Sequence, residues 1–170
     1  MKMRIATCLF AAMAAFGNLV VSNESWADTI DCSGTKRSKD QPYTEVLRPG
    51  DRPDHEMVPA VRKHVISSQN ADFDGSEQTV YAHQDEFAHA GTQSGYFLYT
   101  LKSGEKIWAK FNSVDSTSRT QDSWEVTYQG VFRFVEGTGK FAHIRGGGHY
   151  RGKVTPTAGF EEIFVCSAEY

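Results

Sequence analysis

The stretch Trp124-Glu125-Val126-Thr127-Tyr128-Gln129-Gly130-Val131-Phe132-Arg133-Phe134 places apolar side chains at 124, 126, 128, 132 and 134, with Glu125, Thr127, Gln129 and Arg133 between them. Successive side chains leave a strand on opposite sides, so this period of two predicts a long strand with one buried face. Gly130 interrupts the row, which predicts a bend or bulge of the kind that lets a strand turn a barrel corner.

The same texture extends in both directions. Upstream, 94–101 and 107–114 read as two strands joined by Lys102-Ser103-Gly104-Glu105, a hairpin with Gly in its turn. Before them, an apolar-rich run over 58–66 is followed by the turn Asp74-Gly75 and a further strand over 78–87. Downstream come Gly137-Thr138-Gly139, a short segment to Arg145, the glycines 146–148, and strands over 149–154 and 162–170. Seven or eight strands about ten residues apart, with no helical period, predict an all-β barrel or sandwich. Aromatic residues make up 12% of the chain, more than one face of a small sandwich needs, which favours the closed barrel.

Residues 1–27 differ from the rest. Lys2 and Arg4 precede an apolar run over 5–21 and the small-residue site Ser25-Trp26-Ala27, the layout of a secretory signal peptide cut near Ala27. Export to the periplasm or beyond is therefore expected. Removing Lys2, Arg4 and Glu24 from the 18 basic and 21 acidic residues leaves 16 and 20, a mildly acidic domain. That balance does not suit an electrostatic nucleic-acid binder, and no long apolar run elsewhere predicts a membrane span. The two remaining cysteines, Cys32 and Cys166, lie near opposite ends of the mature chain and are expected to form a disulfide. Residues 28–55, polar and broken by Pro42, Pro49, Gly50 and Pro53, read as an irregular N-terminal arm tied down at Cys32.

The segment Gly137-Thr138-Gly139-Lys140-Phe141-Ala142-His143-Ile144-Arg145-Gly146 lies between two strands. It resembles the G-[TS]-G-x-F-x-x-x-x-G segment of the allene oxide cyclase barrel superfamily, which also contains the plant dirigent proteins. Asp74-Gly75, Gly95-Tyr96 and Gly104 are similar to the pattern of exported bacterial members, and the similarity covers 73–170. Glu136 and His143 depart from the glycine and small residue common at those places. The resemblance implies an antiparallel eight-stranded barrel over 56–170, with an apolar interior that in some relatives holds a reactive hydrophobic molecule while it cyclises or couples. It carries over no catalytic residue.

A P-loop is excluded by the letters, because Phe134 and Phe141 stand where its Gly and Ser or Thr would. His83 and His89 bracket Asp85 and Glu86, and His143 and His149 repeat the spacing. Six residues of extended strand separate two side chains by about 20 Å, so no metal site is expected. Inside a barrel, His83 is a candidate general base and Tyr96 a candidate for polarising a carbonyl or epoxide oxygen, beside Tyr81, Tyr99 and Tyr128. Ser67, Ser113 and Ser116 sit in no nucleophile elbow, and Asp115 reads as a turn former.

Two functions follow. In the first, Tyr96, Tyr99, Trp108, Trp124, Tyr128 and Phe132 wall a site for a small hydrophobic ligand, with no cofactor, and the barrel guides its cyclisation or isomerisation. In the second, the barrel is filled by its own side chains and acts as a structural or interaction protein.

Overall fold

The computed structural model describes residues 29–38, 45–88 and 90–170. The expected signal peptide at 1–27, part of the arm around Pro42, and His89 lie outside the described residues. Nine strands form one antiparallel sheet: β1 (Ile30–Asp31), β2 (Gly34–Ser38), β3 (His55–Ser68), β4 (Glu77–Phe87), β5 (Ala90–Thr100), β6 (Lys106–Arg119), β7 (Trp124–Gly137), β8 (Arg145–Thr155) and β9 (Gly159–Glu169). From β3 to β9 each strand pairs with the next, and β9 pairs with β2, which pairs with β3, so the sheet closes in a ring. β1 and β2 run end to end along one edge of β9, which makes eight positions around the ring. Among the described residues, no helix is long and apolar enough to cross a membrane.

The arm is therefore not irregular throughout. Ile30–Asp31 and Gly34–Ser38 supply the ring's eighth position, and Lys36 puts its side chain inside. The polar composition concealed this, because only one residue of β2 needs to fit the interior. The disulfide between Cys32 and Cys166 forms beside that closure, where the Cys32 amide donates to the Cys166 carbonyl at 3.2 Å.

Two glycine readings change as well. The register shift in the β6–β7 ladder falls between Trp108 and Ala109, whereas Gly130 stays in regular register opposite Ser113. The glycines 146–148 belong to β8 and do not separate it from the loop. A Cβ on Gly148 would collide with the Val165 carbonyl and with Cys166, so the missing side chain lets β8 lie against the disulfide strand.

Alternation makes the ring two-faced. One end of its interior is closed by aromatic side chains. Phe97 stacks on Phe111 at 4.2 Å, and Phe132 meets Phe134 edge-on at 5.6 Å. Phe141, on a short 3-10 turn over Gly139–Phe141, plugs the end against Phe73 and Tyr170. Asp72 fastens that plug by accepting hydrogen bonds at 2.7 Å from the Lys140 ammonium and the Tyr170 hydroxyl. Each buried Phe contributes about 1.5–3 kcal/mol, so this half of the ring is where stability concentrates.

Candidate functional site

The other half of the interior is polar. Lys36 of β2 and Glu162 of β9 are directly opposite neighbours and form an ion pair, both fully buried. The Lys36 ammonium lies 4.6 Å from the Phe97 ring centroid, 5.2 Å from Phe164 and 5.6 Å from Tyr150, an aromatic cage that partly replaces its lost hydration. Burial pushes the Lys36 amine down and the Glu162 carboxyl up, each opposed by the attraction of the other.

On β3, Val58, Ala60, Arg62, His64 and Ile66 all point inward. Arg62 donates to Gln84 at 2.6 Å, and Gln84 donates to Glu86 at 3.0 Å, a chain leading from the interior toward the rim. His64 stacks on Phe160 at 4.1 Å. Its burial, with the charges of Lys36 and Arg62 beside it, lowers its pKa to about 3, so the ring is neutral. Neither of its nitrogens has a hydrogen-bond partner among the described residues.

Asp115 is the unexpected member. It sits on the inner face of β6, opposite Tyr128, with its Oδ1 buried and without a hydrogen bond among the described residues. Burial raises its pKa against the opposing pull of Arg62. Glu86 is raised first by burial and then by the negative charges of Asp115 and Glu56. A cavity of about 40 Å³ separates these groups, lined by Arg62, His64, Gln84, Gln93, Asp115, Glu162 and the rings of Phe97, Tyr128, Tyr150 and Phe160. That volume is enough for about three waters or a head group of similar size.

Two glycines shape its aromatic wall. Tyr128 faces Gly152 across β7 and β8, and Gly130 faces Tyr150. A Cβ on either glycine would strike the opposed tyrosine. The Tyr128 ring therefore lies flat over β8, and its hydroxyl donates to the Glu161 carbonyl at 3.4 Å.

Of the six residues expected to wall the site, only Tyr128 borders the cavity. Tyr99 and Phe132 point inward but are packed into the aromatic core. Tyr96 and Trp108 alternate with buried neighbours and point outward, and Trp124 stands at the first residue of β7, 39% exposed. His83 lies on the outer face beside Ser94, so neither catalytic candidate, His83 nor Tyr96, faces the interior. His143 and His149 are also exposed. Asp115 is no turn former, since β6 runs four residues beyond it.

A larger concavity of about 710 Å³ lies on the outer wall, over β6 to β9 and β2. Its outward side chains include Val114, Ile163, the Arg37–Glu161 charge pair and Lys153, which pairs with Glu125 outside the concavity, and Lys36, Asp115, Tyr128 and Glu162 border it from the inner face. The inner chamber, where polar groups lack partners, is the stronger candidate.

No model of a known protein family and no curated protein matches this chain. The chamber must therefore be interpreted from its own chemistry.

Proposed function

We propose that this protein is an exported binding barrel that takes a small amphipathic molecule, polar group first, into the polar end of its ring. The observation that carries the reading is the buried Asp115 Oδ1, which has no hydrogen bond among the described residues, beside the cavity it shares with the unpartnered nitrogens of His64. Each buried polar group left unsatisfied costs about 1–3 kcal/mol. A barrel needed only for rigidity would be more stable with apolar side chains there. Val126, Val154 and Phe160 line the same space and would receive the apolar part of the ligand.

Packing in the closed half leaves the ligand no route deeper than Phe97 and Tyr150, so a wholly hydrophobic molecule is a poorer fit than one with a polar head. The eight-position ring and the Gly-Thr-Gly-Lys-Phe turn at its closed end support a place in the allene oxide cyclase barrel group. The disulfide, together with the basic and then apolar residues 1–27, supports export to an oxidising compartment.

Native mass spectrometry of the protein taken from its host, followed by denaturation and analysis of what is released, tests the reading. A stoichiometric small molecule supports it. An apo protein that also refuses a panel of amphipathic compounds would favour the filled, non-catalytic barrel instead.

A further inference from the structure

We propose that the polar group received by this chamber is a protonated amine, held by the Asp115 carboxylate and faced by the rings of Tyr128 and Tyr150. This rests on reading the chamber as a ligand site and specifies the class of ligand.

Asp115 Oδ1 is buried and accepts no hydrogen bond from any described residue, so the missing partner must be a donor. The charges around Asp115 favour a cation. Of the cations Lys36, Arg62 and Arg119 that face the carboxylates Asp115, Glu86 and Glu162, Arg119 acts on Glu86, and Arg62 is the one that acts on Asp115. Lys36 is committed to Glu162, and Arg62 donates to Gln84. An ammonium group would supply the donor and set a positive charge beside the Asp115 carboxylate in the same position. A carboxylate or phosphate head would do neither and would set like charges together.

His64 is compatible with an amine, since a neutral imidazole offers one acceptor nitrogen to a ligand N–H beside its own N–H donor. Aromatic faces complete the site. The same interior already surrounds one ammonium, that of Lys36, with three rings, which shows how cations are accommodated there.

The test uses the disulfide-bonded protein and three probes sharing one tail: n-octylamine, protonated at pH 7, n-octanol and octanoate. Calorimetric titration should give octylammonium at least ten-fold tighter binding than either of the others. Asp115→Asn, which keeps the shape and removes the charge, should weaken octylammonium at least ten-fold and octanol by a clearly smaller factor. If octanol or octanoate binds as tightly as the amine, the amine assignment is overturned while the chamber reading stands. If none of the three binds and the host-derived protein carries no small molecule, both fall. The ranking of probes on the unaltered protein decides the matter even where the Asn variant does not fold.

Discussion

Tyr128 lies directly across β7 and β8 from Gly152, and its ring occupies the space that a side chain at 152 would fill. Two residues along, the relationship repeats with the roles exchanged between Gly130 and Tyr150. Each tyrosine covers the glycine of the other strand, so the chamber's aromatic wall depends on two absent side chains.

Gly152→Ala should therefore destabilise the fold by about 1–3 kcal/mol, the usual cost of forcing an extra carbon into a packed interior. Its Cβ would meet both the Tyr128 ring and the Glu161 carbonyl, and the backbone atom cannot rotate away. Urea denaturation checks this. The midpoint should fall with an unchanged slope, and a wild-type midpoint would show that Tyr128 is not pinned there.

The buried ion pair yields a second prediction, one that separates pairing from burial. Lys36→Met leaves Glu162 as a lone carboxylate among aromatic rings and should cost about 3–5 kcal/mol. Adding Glu162→Leu should recover most of that loss, because the expense lies in the uncompensated charge. If the double variant unfolds as readily as the single one, the packing of the lysine stem outweighs its charge.

His55 predicts a pH dependence. Its two ring nitrogens lie 2.6 Å from Asp51 and 2.9 Å from Asp85, and a neutral imidazole has only one N–H, so both bonds require the cation. The hydrogen bond to Asp51, followed by that to Asp85, raises its pKa above the usual 6.5. The neighbouring charges are already occupied: Arg48 pairs with Glu56, and Arg52 lies over Phe87, on which His55 stacks. The stabilisation is complete below about pH 6.5 and is lost as pH rises through the elevated value. The stability difference between wild type and His55→Gln should be largest near pH 5 and shrink by pH 9. Hydrogen exchange at 51–54 should quicken over the same interval. A difference independent of pH would contradict the two-carboxylate clamp.

Much of the fold was legible because a strand declares its buried face through alternation. The run 124–134 carries that signal most clearly, the other six runs from 58 to 170 are marked by apolar content or by the turns that bound them, and all seven are strands in the ring. The eighth position was not legible, because β2 contributes few inward residues and the principal one, Lys36, is charged. The chamber was concealed for the same reason. Arg62, His64, Asp115 and Glu162 occupy inward positions of strands whose apolar members define the face, and a charged residue in such a row reads as an exception. Parity alone would have found them: Arg62 and His64 alternate in step with Val58, Ala60 and Ile66. Tyr96 and Trp108 show the converse, as aromatic residues on the outward parity are not core.

The disulfide supplies a further test. Cys32 and Cys166 close a loop with a sequence separation of 134 where β1 meets β9. Replacing both by Ala should cost about 2–5 kcal/mol. Amide exchange should increase first in β1 and at 166–168, while the aromatic end around Phe97 and Phe111 stays protected. Uniform loss of protection would show that the arm's closure supports the whole ring.

The central claim is that the polar half of the ring is a ligand chamber, and a crystal structure of the protein as isolated from its host tests it most directly. The account predicts continuous electron density for a small molecule between Asp115 and His64, with a donor on the Asp115 carboxylate and an apolar extension toward Val126 and Phe160. Two or three ordered waters completing the bonds of His64 and Asp115, with nothing else in the cavity, would contradict it.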